Sequence, residues 1–303
     1  MQFRLDCTTV VCKNCGFCFV SPAPTREAYD RFYREAYSTY YRGIHGSSDV
    51  DRTSRRLQET PAEAERFRTI ERFKTIDGSS VLEIGPGEGR FLRLIANRGA
   101  HCSAVEPSAD FRARLAKAGI ETVGEFIERV EVNRVYDLVC FFQVLEHFHD
   151  PRLAMSVIRE LTAPNGLVVL DVPNIKQPFR SLDRYFLRYV HLSYFSPTSL
   201  RRLLTKFDFD VIWMETGDAR EFRKPQSIFV IARKLDGPSE SRVTRSEDWR
   251  AVVQDLERYR WTYALHHAPR LKYSFAKRGV RRLVSNSAAG ALYRRAKRGF
   301  RSR

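Results

Sequence analysis

No apolar run in these 303 residues approaches the ~20 that cross a bilayer. The longest, such as Gly166-Leu167-Val168-Val169-Leu170, is the size of a buried strand. The first residues, Met1 to Cys7, hold no apolar stretch of signal-peptide length, so a cytosolic location is expected. There is no internal repeat and no low-complexity segment. Acidic residues are missing from the end of the chain, with none after Glu257. From Glu240 onward 17 Lys/Arg face 5 Asp/Glu, a net +12 of the total +16, so the main body is nearly balanced and the tail is a cation. Such a tail suits an anionic partner: a membrane surface, a nucleic acid or an acidic glycan carrier. A disulfide framework is absent too. Of the six cysteines, Cys7, Cys12, Cys15 and Cys18 crowd the first 18 residues. Cys102 and Cys140 fall inside predicted strands, where a free thiol packs as a small hydrophobe.

What is present is a soluble composition, 43% hydrophobic and 29% charged, long enough for one large α/β domain with appendages or two small domains. Four regions follow. Residues 1–24 are the cysteine cluster, closed by Ser21-Pro22-Ala23-Pro24. Residues 25–76 hold two helical stretches, the first rich in tyrosine (Tyr29, Tyr33, Tyr37, Tyr40, Tyr41) and the second running from Pro61 to Ile76. Residues 77–235 alternate strand and helix patterns, and residues 236–303 are a polar linker and the basic tail. In the third region strands are predicted at 80–84, 102–105, 122–123, 136–142 and 167–172, with helices at 90–97, 108–118 and 151–161. A long loop then leads to Tyr194, a helix runs from Ser196 to Phe207, and strands follow at 209–214 and 227–232. Alternation of this kind predicts βαβ units and a parallel sheet. The last two strands have only a loop between them, which makes them antiparallel neighbours.

The sharpest feature is Val81-Leu82-Glu83-Ile84-Gly85-Pro86-Gly87-Glu88-Gly89-Arg90, glycines that leave a buried strand and enter a helix. Such a turn lets backbone approach a ligand, and the helix start adds positive potential. A dinucleotide turn spaces its glycines G-x-G-x-x-G; here the third comes one residue early, at Gly89. Glu106 ends the second strand, where a carboxylate can accept hydrogen bonds from ribose hydroxyls.

These residues resemble the class I S-adenosylmethionine (SAM)-dependent methyltransferases, whose first motif is an acidic residue followed by G-x-G-x-G. The resemblance covers about residues 77–235. It implies that Glu83 helps to hold the methionine amino end of SAM and that Gly85, Gly87 and Gly89 let backbone pass against the cofactor. It implies further that Glu106 binds the ribose and that Glu125 and Phe126 flank the adenine. The segment Phe142-Gln143-Val144-Leu145-Glu146-His147-Phe148-His149-Asp150-Pro151 is similar to the V-L-E-H-x-x-D-P stretch of a large small-molecule branch, which adds Gln143 to the cofactor contacts and His147 as candidate base. His191, opening His191-Leu192-Ser193-Tyr194-Phe195-Ser196, resembles a segment after the fifth strand of that branch and is the second catalytic or substrate-pocket candidate. His149 reads as a surface residue. The fold implied is a doubly wound, Rossmann-like, seven-stranded sheet with the last strand antiparallel. To it are added an N-terminal cysteine knuckle and a C-terminal basic helical tail.

Cys12-Lys13-Asn14-Cys15-Gly16 is one C-x-x-C-G knuckle, and tetrahedral zinc needs four ligands. Relatives of this branch carry a second C-x-x-C upstream. Either Cys7 and Cys18 complete a zinc site with Cys12 and Cys15, or the site is degenerate, or the chain starts late. In the tail, Val280, Val284, Ala288, Leu292, Ala296 and Phe300 recur every fourth residue among arginines and lysines, a pattern that either lies on an anionic membrane or packs with a solvated basic face. The loop from Pro173 to Val190 offers Arg180, Arg184 and Arg188 to an anionic substrate group. The leading function is O-methylation of a sugar, glycan or related hydroxylated metabolite, followed by a quinone or phenol O-methyltransferase. A non-catalytic SAM-binding scaffold docked through the tail is the alternative of another class. Nucleic-acid methylation is disfavoured: no N/D-P-P-Y/F segment follows the fourth strand and no Pro-Cys nucleophile occurs.

Overall fold

A computed structural model describes residues 8–39, 61–188, 190–217, 226–237 and 246–265. Cys7, Tyr40, Tyr41 and the amphipathic repeat of the tail lie outside the described residues, and so does the side chain of Arg184. The chain opens with a hairpin, β1 (Thr8–Val11) and β2 (Cys18–Ser21). Helix α1 (Arg26–Arg31) runs on into a π-helical turn at Phe32–Ala36, and α2 (Pro61–Glu71) follows. Then come β3 (Ser80–Ile84), α3 (Arg90–Ala96), β4 (His101–Val105), α4 (Ala109–Lys117), β5 (Glu121–Gly124) and β6 (Tyr136–Phe142). They are succeeded by α5 (Pro151–Leu161), β7 (Thr162–Pro173), β8 (Ser193–Tyr194), α6 (Pro197–Lys206), β9 (Phe209–Thr216) and β10 (Ser227–Lys234). A last helix, α7, spans 249–265. Among the described residues no helix is long and apolar enough to cross a membrane.

The main sheet has seven strands in the order β5-β4-β3-β6-β7-β10-β9. Strands β3 to β7 pair in parallel, and β10 is inserted antiparallel between β7 and β9. The expected doubly wound sheet with its last strand antiparallel is therefore present. Strand side chains alternate between two faces, and here both faces are apolar. Leu82, Val139, Phe141, Val168 and Leu170 enter one core with Met155 and Ile158 of α5 and Leu200 and Leu204 of α6. Val81, Leu138, Cys140, Leu167 and Val169 enter the other with Phe67 and Ile70 of α2 and Leu92 and Ile95 of α3. Helices on both faces are what a parallel sheet requires, because neither face can meet water.

The covering helices start where the sequence supplies caps. Asp150 accepts hydrogen bonds from the Arg152 and Leu153 amides ahead of α5, with Pro151 in the first turn. Ser196 and Ser199 form a reciprocal capping box at α6, again with a proline in the first turn.

A second sheet, β1-β2-β8, was not foreseen from the sequence. Strand β8 lies within the stretch expected to be a loop, and only two residue pairs join it to β2 (Cys18 with Tyr194, Phe19 with Ser193). Cys18, Val20, Tyr29, Tyr33, Leu192, Tyr194 and Val252 of α7 make its small core. The start of the basic tail thus packs on the body: Lys176 Nζ reaches Asp255 at 3.0 Å and Tyr259 Oη donates to the Arg180 carbonyl at 2.7 Å. Phe141 is fully buried at the centre of β6, between sheet and α5. Phe141→Ala should cost about 3–5 kcal/mol, read as a lowered urea midpoint with unchanged m-value; a loss below ~1 kcal/mol would contradict this packing.

Candidate active site

The strand order reverses between β3 and β6, and ligands of open α/β sheets bind beyond the carboxyl ends of strands at such a point. A cavity of about 330 Å³ lies there, walled by the turns after β3, β4, β5 and β6 and by Tyr29, Tyr33 and Tyr37. The β3–α3 turn takes its shape from glycine. Gly85 has φ 66°, and a Cβ on it would stand 2.8 Å from Val144 Cγ2; Gly89 has φ 70°, and its Cβ would meet Leu115 Cδ2. A side chain would be strained at either place, and at Gly85 the bare backbone lines the cavity.

Glu106 ties this turn to the next. Its carboxylate accepts the Gly87 amide at 3.1 Å and the Ser108 amide at 2.8 Å. Burial pushes its carboxyl up to about 7, although the Ser108 and Gly87 amides and the Arg112 guanidinium favour the charged form. Glu83 is more isolated. Burial pushes it up to about 8, eased by the Arg66 guanidinium and reinforced by Glu63 and Glu106. Its Oε2 is buried with no hydrogen-bond partner. An orphaned carboxylate oxygen on a cavity wall fits a ligand that brings a cationic or N–H group. The aromatic lining (Phe91, Phe111, Phe126, Phe142) fits its apolar parts. SAM, with an ammonium, a ribose and an adenine ring, matches that set of donors and surfaces.

Of the cofactor candidates, Glu83, Gly85, Gly87, Glu106, Glu125, Phe126 and Gln143 all line the cavity, whereas Gly89 lies behind it at the start of α3. Glu125 is paired with Arg34 at 2.8 Å and Arg112 at 3.0 Å, and the Arg34 guanidinium stacks 5.0 Å from the Phe126 ring. Gln143, at φ 57°, turns its amide to Asp171 Oδ1 at 2.9 Å. Arg66 holds the other Asp171 oxygen at 2.6 Å and lies 4.4 Å over the Phe142 ring.

His147 lines the cavity. Its Nδ1 is 2.7 Å from the Val190 carbonyl and 2.8 Å from Tyr33 Oη. Burial pulls it down to about 4, against the Val190 hydrogen bond, so the ring is neutral at pH 7. His191 is not on the cavity surface but stacks edge-on with His147 at 4.7 Å between ring centroids, and burial likewise holds it well below the usual imidazole range. His149, expected at the surface, is instead half-buried on the cavity wall, with Nε2 3.0 Å from the Pro24 carbonyl. Arg180 and Arg188 of the long loop sandwich the Tyr185 ring at 4.1 and 4.5 Å and do not line the cavity.

Sequence reasoning missed Tyr29, Tyr33, Tyr37, Arg66 and Asp171. The tyrosines did carry a signal, because a spacing of four puts them on one helix face. Arg66 and Asp171 carried none, as each looks like an ordinary helix-surface or strand-end charge.

Cys12 and Cys15 sit at the β1–β2 turn, with the Cys12 thiol drawn below its usual value mainly by the Asn14 amide and then the Cys15 amide. Cys18 is buried in the small sheet's core, and burial pushes its thiol up to about 12. Among the described residues these three do not converge as a metal-ligand group.

A seven-stranded sheet of this order, with a glycine turn and two buried carboxylates at its switch point, defines a class I SAM-dependent methyltransferase. The chain belongs to the methyltransferase-domain family, which matches residues 54–213. It is 26% identical over 159 residues to a C-methyltransferase, NovU, of Streptomyces niveus, covering 49% of this chain and 37% of that protein. It is 30% identical over 105 residues to the ubiquinone biosynthesis O-methyltransferase of Aeromonas salmonicida, covering 32% and 44%. The chain thus spans less than half the length of these two relatives. Among solved structures, the 1,6-didemethyltoxoflavin-N1-methyltransferase of Burkholderia thailandensis, with S-adenosylhomocysteine bound, has the same fold. Its TM-score is 0.53 at 18% identity, over 73% of this chain and 96% of that one.

Two measurements follow from the carboxylates. Burial pushes Glu83 up to about 8 and Glu106 up to about 7, and a ligand ammonium facing Glu83 favours its charged form. SAM binding at pH 6.5 should therefore release protons, seen by calorimetry in buffers of different ionisation enthalpy, and Glu83→Gln should reduce the release. Glu106→Ala should weaken SAM binding by about 1–3 kcal/mol; unchanged affinity would remove Glu106 from the cofactor contacts.

Proposed function

We propose that the chain transfers the methyl group of SAM to a hydroxyl oxygen of a small hydroxylated acceptor, a sugar or glycan unit in the first instance. The observation that carries this reading is the His147 imidazole, oriented by the Val190 carbonyl on the wall of the cavity that also bears Glu83 and Glu106. SAM supplies an electrophilic methyl group on a sulfonium sulfur. The acceptor oxygen forms the new bond to carbon, the carbon–sulfur pair stays on sulfur, and the hydroxyl proton must leave. The cavity residues contribute alignment, which in-line displacement needs most. Tyr29, Tyr33 and Tyr37 line one side of the cavity. Activation of the hydroxyl falls to the group formed by Glu146, His147 and His191.

A phenol or quinol acceptor is the second reading. It is favoured by the tyrosine wall, which offers edge and face contacts to an aromatic ring, with Tyr33 and Tyr37 centroids 4.8 Å apart, and by the likeness to ubiquinone-pathway O-methyltransferases. A scaffold role is the reading that absence of turnover would leave. Incubation with SAM and a panel of nucleotide sugars, glycolipids and catechols, with S-adenosylhomocysteine as the readout, decides among them. His147→Ala should lower kcat by roughly 10²–10⁴-fold while SAM affinity holds. Equal turnover would clear His147 of any part in activation.

The tail is proposed to bring the enzyme to an anionic membrane surface. Helix α7 presents Trp261 and Leu265, 69% and 72% exposed and four residues apart, just ahead of the basic segment. Removal of residues 266–303 spares the contacts of Val252, Asp255 and Tyr259 with the body. It should cut binding to phosphatidylserine vesicles without changing SAM affinity. Equal vesicle binding by the two forms would rule the segment out as an anchor. The cysteine turn is proposed as a partial zinc knuckle built on Cys12 and Cys15.

A further inference from the structure

Beside the cofactor cavity, three side chains from two loops converge. Glu146 and His147 come from the short helical turn after β6, and His191 from the segment leading into β8. The Leu192 amide donates to the Glu146 carbonyl at 2.8 Å, which fixes the two loops against each other. One potential ligand atom from each of the three side chains lies within 4.8 Å of the others.

The polar atoms at this spot are unsatisfied. Both carboxylate oxygens of Glu146 and Nδ1 of His191 are buried without a hydrogen-bond partner. Buried polar atoms nearly always have partners, and a carboxylate with neither oxygen met is costly to hide from water. His147 completes the pattern. A carbonyl can only accept, so the 2.7 Å contact with Val190 places the proton on Nδ1. That leaves the Nε2 lone pair free, and Nε2 faces Glu146 Oε1 at 3.8 Å. A metal-bound histidine characteristically donates its other ring N–H to a backbone carbonyl, which sets the tautomer and the ring plane. A cation held by one atom from each side chain would meet this unsatisfied cluster.

We propose that Glu146, His147 and His191 form a divalent transition-metal site of the zinc type, built into the wall of the cofactor cavity. Two imidazoles and one carboxylate are the donor set of catalytic zinc, which keeps a fourth position open for water or substrate. A purely oxygen-liganded ion such as Mg²⁺ would not choose two imidazoles. His147, the member on the cavity surface, carries the site to the edge of the acceptor space. The catalytic consequence rests on the methyl-transfer reading: an ion here would lower the pKa of the acceptor hydroxyl, and His147 would act as a ligand and not as the proton carrier.

The test uses the full chain, stripped by chelator and then titrated with Co²⁺ by absorption and with Zn²⁺ by calorimetry. It compares the native sequence with Glu146→Gln, His191→Ala and the double variant Cys12→Ser, Cys15→Ser. SAM affinity and circular dichroism report folding and cofactor binding separately. The expected result is one ion bound in the cysteine double variant, with visible cobalt bands and no thiolate-to-cobalt charge-transfer band. Affinity should fall in Glu146→Gln and His191→Ala by more than the roughly 10–100-fold that even outer partners of metal ligands are worth. If His191→Ala does not fold, the near-isosteric Glu146→Gln decides alone. Failure of the cysteine double variant to bind an ion, or undiminished binding in Glu146→Gln, overturns the site. Ion binding and SAM affinity are read separately, and turnover is measured on the native chain, so the methyltransferase reading stands or falls on its own.

Discussion

A carboxylate withdrawn from water has to be met by something, and the way Glu106 is met organises the cofactor half of this protein. Its oxygens take one amide from the β3–α3 turn and one from the β4–α4 turn. A single side chain therefore ties together the loops after β3 and β4, both of which line the cavity. The glycines follow from the same constraint. If Gly85 carried a Cβ it would press on Val144, and Val144 belongs to the segment that leads to Glu146 and His147. The glycine turn and the segment that carries Glu146 and His147 thus pack too closely to admit a side chain between them.

The other half of the cavity is closed by chain that comes from far away in the sequence. Tyr29 Oη donates to the Val190 carbonyl at 2.8 Å, and Tyr33 Oη reaches His147 Nδ1. The small β1-β2-β8 sheet holds these partners together: β2 pins β8, and β8 follows directly on His191 and Leu192. Orientation of His147 is therefore set by the N-terminal segment as much as by the loop that carries it.

Much of this was legible in the sequence where local rules and global fold agree. The five parallel strands read as apolar runs because both sheet faces are covered, and α5 and α6 announced themselves by Asp150-Pro151 and Ser196-Pro197. The glycine turn and Glu106 were visible because only a ligand-facing backbone needs that pattern after a strand. The second sheet was not, since β8 is two residues long and owes its conformation to β2, more than 170 positions away. His149 was misplaced for a similar reason: its partner, the Pro24 carbonyl, belongs to a segment whose path the sequence does not encode locally. The meeting of Glu146 with His191 was equally hidden, because spacing along the chain says nothing about two loops tied by one backbone hydrogen bond.

The cavity is lined by parts that lie far apart along the chain. Much of the lining comes from turns close together in the sequence, between Glu83 and Glu128. The rest of the lining is a mosaic of the tyrosine-rich helical segment, α2 and the turn after β6. The helical segment at 29–37 therefore touches both sides, since Tyr33 reaches His147 while Arg34 holds Glu125 and Phe126, and a change in this one segment is felt across the whole cavity.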